Sequence, residues 1–209
     1  MPADTDTGNP APLGLIGFGM TTVLLSLANA GLLPSTAGVI VVVPLAMAFG
    51  GTIQFFAGLL EYREGNTFGT VAFSSFGAFW WWFALLELFA MNGILNSNAE
   101  GYTTAVGAAL ILWGIFTLYM WIGTFRLNWG LWAVFLVLWI TFFLLGFGDL
   151  LGNDLLYMLG GYTGILDGLL AMYVSFAEVT NWSFNRTVIP VGSAPISESD
   201  EGQPAEPAD

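Results

Sequence analysis

The chain has 209 residues, of which 56% are hydrophobic and only 9% charged, against about a quarter charged in a soluble domain of this size. Its net charge is −12; it has no Cys and no His, and its 3 cations are all Arg. That inventory excludes disulfides, haem ligation by His or Cys, the usual zinc sites and a lysine Schiff base, and with them most membrane enzymes and photoreceptors. What remains is a helical body in lipid.

In chain order, Met1 to Asn9 carries no basic residue, and the apolar run after it is longer and richer in glycine than the core of a cleaved signal. The first helix is therefore expected to stay. Six spans follow: about Gly14 to Leu33, Gly38 to Leu60, Phe68 to Met91, Thr103 to Gly123, Trp129 to Phe147, and Leu155 to Val179. Each is close to the roughly 20 apolar residues needed to cross a hydrocarbon core as a helix. The breaks between them, such as G-L-L-P-S-T and G-D-L-L-G-N-D, hold the turn formers that short helix connections need.

The expected fold is an all-α integral membrane protein, its six transmembrane helices arranged as three hairpins. Residues 1–12 form a short N-terminal segment, 13–183 the membrane domain, and 184–209 a C-terminal segment. From about Ser193 that last segment is rich in Pro, Ser and Glu and holds 5 of the chain's 15 carboxylates, a composition expected to be disordered. No cofactor, metal or nucleic-acid partner is expected.

Arg63, Arg126 and Arg186 fall in the second connection, the fourth connection and just after the sixth span, all on one side of the membrane. The positive-inside tendency makes that side cytoplasmic and puts both termini there, in a plasma-membrane protein. Each helix entering from that side is preceded by an Asn shortly before a Gly: Asn9 and Gly14, Asn66 and Gly69, Asn128 and Gly130. Two origins fit this pattern, a triplicated hairpin or the ordinary use of Asn as a helix cap. On the sixth span Gly160, Gly164 and Gly168 recur at steps of four, a smooth stripe suited to close helix packing.

No set of residues resembles a catalytic site, so transport is the better class. Candidate pore-lining or substrate-binding residues are the polar side chains within the spans, among them Thr21, Asn29, Gln54 and Ser75. Many such hydroxyls only bond their own helix backbone, whereas Asn29 and Gln54 cost more to bury and are expected to face a hydrated path or another helix. Glu87 reads as an interfacial charge. Asp167 lies twelve residues beyond Leu155, roughly 18 Å into the membrane at about 1.5 Å per residue. A carboxylate is expensive there and lines a cavity or a proton path, unless it is a structural group bonded to a neighbouring helix. With no Arg inside the spans a fully charged anion finds no cationic partner, and a small acid would cross weakly bound or as the neutral acid.

The opening motif N-P-A-P-L-G-L-I-G-F-G-M (Asn9 to Met20), followed by A-G-L-L-E-Y (Ala57 to Tyr62), G-N-T-F-G (Gly65 to Gly69), W-G-I-F-T-L (Trp113 to Leu118) and F-N-R-T-V-I-P-V-G (Phe184 to Gly192), closely resembles the acetate uptake transporters of the succinate-acetate permease type. The resemblance runs from Asn9 to Gly192 in the same motif order. It implies a six-helix protomer, a homohexameric ring around a lipid-filled centre, and one path per protomer for acetate, in some members also succinate, proton-linked or channel-like. It also implies a hydrophobic constriction at Phe18, Phe76 and Leu138, and a small residue near the pore at Ala171. Phe76 stands where the family has Tyr, so the ring keeps its bulk and lacks the hydroxyl; Asp167 and Glu87 are unusual for the family. The alternatives are a channel for neutral solutes such as urea, and a non-transporting sensor that works through the acidic tail.

Overall fold

The structure is a computed structural model that describes residues 8–196. Helix α1 spans Ala11–Asn29, and α2 (Ser35–Leu45) runs through a π-helical segment, Ala46–Ile53, into α3 (Gln54–Arg63). Next come α4 (Thr67–Met91), α5 (Tyr102–Gly123) with a 3-10 turn at Thr124–Arg126, α6 (Trp129–Leu151) and α7 (Asp154–Phe184). Six of the resulting rods are long and apolar enough to cross a membrane, the second being the continuous stretch Ser35–Arg63. The protein is a multi-pass, all-helical membrane protein, and no strand occurs among the described residues.

Local chemistry sets the helix ends. Asn9 Oδ1 accepts from the Ala11 N–H at 3.0 Å, and Pro12 falls in the first turn, where its missing N–H leaves nothing unpaired. Helix α1 starts at Ala11 rather than Gly14 and stops at Asn29 rather than Leu33. Gly31, at φ 72°, turns the chain so that the Leu32 and Leu33 N–H groups point back to the Leu27 carbonyl, at 2.9 and 3.1 Å. At the other end of the protein α7 continues past Val179 to Phe184, where Asn185 takes the left-handed conformation at φ 49°.

Asn66, Asn128 and Asn153 are N-caps whose side-chain oxygens accept from backbone N–H groups of α4, α6 and α7. Capping is thus the local role of Asn66 and Asn128, and Asn153 opens a helix in the same way at the far end of the bundle.

The helices form a ring in which α1 closes against α7, and α6 packs between α5 and α7. The α1/α7 seam is built from small residues. A Cβ on Gly168 would lie 2.6 Å from the Val23 side chain and 2.7 Å from the Gly19 carbonyl oxygen, and Gly161 and Gly164 press as closely on Ala30 and Ser26. Gly160, counted in the same stripe from its spacing, instead faces Leu145 of α6. The 3.6-residue turn makes a strict four-residue row drift around the helix, so Gly161 takes its place on the α1 side.

One pair breaks the ring's regularity. Helices α4 and α5 are consecutive yet their backbones stand apart, being joined by the long connection between Met91 and Tyr102. The space between them is partly filled by aromatic rings and partly open.

Ser193 to Ile196, expected to begin a disordered tail, are held against the bundle. The Ser193 carbonyl accepts from the Trp129 N–H at 3.1 Å and the Val191 carbonyl from the Gly130 N–H at 2.9 Å, while the Ile196 N–H donates to the Phe125 carbonyl at 3.0 Å. The unpaired N–H groups at the start of α6 need acceptors, and this segment supplies them. The rest of the acidic tail, 197–209, lies outside the described residues.

Candidate functional site

Phe18 (α1), Phe76 (α4) and Leu138 (α6) are all buried and meet around one small internal cavity of about 20 Å³, together with Leu15, Gln54, Ala72, Phe73, Val134 and Phe135. That volume is about enough for a single water molecule. Phe76 is the hub: its ring lies 5.9 Å from Phe18, 5.4 Å from Phe116, 6.0 Å from Trp113 and 6.1 Å from Phe135, and is stacked nearly parallel to Phe142 at 6.4 Å. The interior here is filled by closely packed aromatic rings with almost no free space between them.

The one polar side chain at this cavity is Gln54, 1% exposed, whose Oε1 has no hydrogen-bond partner. Its position follows from the π segment just before it. Pro44 removes a helical donor, and Gly50 and Gly51 fit against Trp80 and Trp81 of α4. The Thr52 hydroxyl donates five residues back to the Met47 carbonyl at 2.7 Å. Each residue added to a turn rotates the downstream face by about 100°, so the wide segment decides which side of α3 looks inward. A buried amide oxygen without a partner is costly in itself, and the two ends of an amide suit either form of a small acid: the NH2 donates to a carboxylate, and the oxygen accepts from a carboxylic O–H.

On the side of the constriction away from the chain ends, a vestibule of about 240 Å³ opens between α4 and α5. Phe79 and Phe142 form its floor and connect it to Phe76, with Phe79 edge-on to Phe142 at 5.3 Å. Asn29, Tyr157, Glu87, Tyr102, Thr103 and Asp149 are in its polar lining, and the Tyr157 hydroxyl donates to Asn29 Oδ1 at 3.4 Å.

At the end that carries the termini, two carboxylates are bonded to the Asn residues that open helices. Asn9 Nδ2 donates to Glu178 Oε2 at 2.9 Å, and Asn66 Nδ2 donates to Glu61 Oε2 at 2.6 Å. Gly69 is small for this reason, since a Cβ there would sit 2.7 Å from the Glu61 carboxylate. The motifs A-G-L-L-E-Y and G-N-T-F-G are therefore two halves of one clamp.

The other singled-out residues lie elsewhere. Thr21 is fully buried, its hydroxyl donating to the Gly17 carbonyl at 2.8 Å and packed beside Gly50. Ser75 faces an apolar groove between α4 and α5 with Ala78, Trp113 and Phe116. Ala171 is fully buried in the core cluster. Asp167 is fully buried as well, and neither of its carboxylate oxygens has a partner.

The family model described as GPR1/FUN34/yaaH matches residues 1–196. The chain belongs to this family. It is 41% identical over 192 residues to the succinate-acetate/proton symporter SatP of Escherichia coli K12, covering 91% of this chain and 98% of the symporter. It is 36% identical over 201 residues to acetate permease A of Emericella nidulans, covering 90% of this chain and 67% of the permease. The solved structure of the bacterial acetate channel SatP superposes with a TM-score of 0.84 at 41% identity, over 90% of this chain and all of that one.

Within the GPR1/FUN34/yaaH frame, residue types alone missed two features of this chain. The aromatic box of Trp113, Phe116, Phe135 and Phe142 around Phe76 looks like ordinary apolar helix sequence, since rings that plug a path and rings that face lipid share one composition. The convergence of Glu87 with Asp149 joins positions far apart in the chain, and a signal was present in that neither has a cation near it in sequence.

Proposed function

We propose that this protein carries acetate, and small monocarboxylates like it, across the membrane through a path in each protomer, proton-linked or channel-like. The observation that carries this reading is the cation-free, ring-lined constriction with one buried amide, Gln54, whose oxygen lacks a partner, in a chain so closely related to acetate carriers. A ring of apolar groups filters by dehydration: an inorganic ion loses more hydration there than a methyl-bearing weak acid does. Phe18, Phe76 and Leu138 form the filter and Gln54 orients the carboxyl group. Asn29 meets the solute in the vestibule, Thr21 and Ala171 shape the wall from behind, and Ser75 borders the path from the α4/α5 side. The protein is not an enzyme.

Proteoliposomes holding the purified protein should take up labelled acetate faster as the outside pH is lowered, and uptake no faster than that of empty liposomes would sink the proposal. Urea-driven swelling insensitive to acetate would favour a neutral-solute channel instead.

The assembly is a homohexamer in the plasma membrane with both termini cytoplasmic. In its favour are the three Arg residues at one end and the many large apolar side chains left exposed on a single protomer, among them Ile40, Phe56, Leu112 and Phe176, which need lipid or a neighbouring copy. A fully buried, unpartnered Asp167 supports a role in moving the proton with the acid.

A further inference from the structure

We infer that the vestibule is a charge filter: Glu87 and Asp149, set among aromatic walls above the constriction, turn the acetate anion away and admit the protonated acid. This rests on acetate being the solute.

The two carboxylates come from different helices, α4 and α6, and line the same cavity of about 240 Å³. Its walls include Leu25, Val39, Phe79, Trp82, Phe83 and Phe142, which offer few reorienting dipoles to weaken a charge. No element around the cavity offers a positive charge. Helices α1 and α2 contribute no charged residue, only Asn29 as a polar group; α5 contributes Tyr102 and α7 Tyr157 as the other titratable groups. Glu100, in the connection before α5, and Asp154, at the start of α7, add further negative charge at this end, whereas Arg63, Arg126 and Arg186 all lie at the opposite end. Of the two phenols there, Tyr157 already gives its proton to Asn29, and Tyr102 is left as a single neutral donor against two carboxylates. A narrow, low-dielectric mouth lined by one sign of charge focuses that field on whatever enters.

An acetate carrier has no evident need of such a mouth if the anion is the species it takes, because the mouth repels the anion. It suits the neutral acid, which feels no net repulsion and offers an O–H to the same carboxylates. Acidification then acts twice in one direction, since it protonates the solute and removes the vestibule's charge.

The test is labelled-acetate exchange in proteoliposomes with equal pH on both faces, so that orientation of insertion does not matter, after subtraction of empty-liposome flux. The native protein is compared with the double variant E87Q/D149N, whose amides keep size and hydrogen bonding. At pH 5 the two should exchange at similar rates; at pH 7.5 the variant should be about tenfold faster, as removal of two nearby like charges predicts. Raising salt from about 0.01 to about 0.5 M at pH 7.5 shortens the screening length several-fold. It should speed exchange by the native protein and leave the variant unchanged.

Superimposable pH profiles would overturn the inference, as would ammonium exchange that falls in the variant while acetate exchange stays the same, which would make the vestibule a cation collector. Should the variant fail to fold, the salt response of the native protein decides alone, and a flat response overturns the filter. No exchange by the native protein at any pH would sink the acetate reading itself, a different outcome from exchange with an unaltered pH profile.

Discussion

Phe76, at the centre of the proposed filter, would combine sealing with selectivity. Its ring touches those of Phe18, Trp113, Phe116, Phe135 and Phe142, so the plug is held in place by neighbours from α1, α5 and α6. Truncating a wall of the plug should widen it without unplugging it. Phe18→Ala or Leu138→Ala is therefore expected to raise lactate permeation several-fold relative to acetate in a proteoliposome flux assay, and unchanged selectivity in both variants would remove these residues from the path. Asp167 poses the opposite problem, a carboxyl group wholly enclosed with no hydrogen-bond partner. If it moves a proton with the solute, Asp167→Asn should flatten the dependence of acetate uptake on outside pH while the protein still purifies intact. A profile identical to the native one would leave it a structural group.

At the scale of elements, two departures from regular helix packing position the site. The π segment Ala46–Ile53 turns Gln54 to the constriction, and the glycines of α7 let α1, which carries Phe18, come close enough to close the ring. A side chain at Gly168 would meet the Gly19 backbone oxygen, which can yield only if the whole of α1 shifts. Gly168→Val should thus destabilise the protein by about 1–3 kcal/mol, the usual cost of overpacking, read as a lower unfolding temperature in detergent. Leu166→Ala, two residues away on a face where Leu166 is 50% exposed, serves as the control and should leave that temperature nearly unchanged.

For the whole molecule, the C-terminal segment divides into two parts. Through Ile196 it supplies carbonyls to the start of α6 and its N–H to Phe125, and Asn181 and the Tyr173 hydroxyl bind Ile189 and Pro190 on the way. A chain ending at Ile196 should keep native acetate uptake. One ending at Asn185 exposes the first N–H groups of α6 and should lose thermal stability by a few degrees; uptake abolished by removing 197–209 alone would instead point to the acidic tail as the working part. Native mass spectrometry in detergent should show six copies if the protomers close into a hexameric ring.

Much of this was readable from residue order, for a physical reason particular to membranes. A hydrocarbon core admits only backbones that satisfy their own hydrogen bonds, so apolar runs such as Trp129 to Phe147 could only be helices. Their number, and the common end of the three Arg residues, followed from the same constraint, and the long motif from Asn9 to Met20 pointed to the family. Side-chain convergence was not available in that way. Whether Glu87 was an interfacial charge or half of an acidic vestibule depended on how far α4 stands from α5, and Gln54 needed a π turn that no periodicity announces. Likewise the four residues Ser193 to Ile196 look disordered by composition and are ordered because α6 begins beside them with unpaired donors. Sequence by itself determined the solvent, the secondary structure and the lineage of this protein, since each depends on local composition. Tertiary structure alone decided which rings meet around Phe76, which amide lies beside them and which carboxylates share a cavity, because those depend on helix rotation and spacing, set by glycine seams and one widened turn.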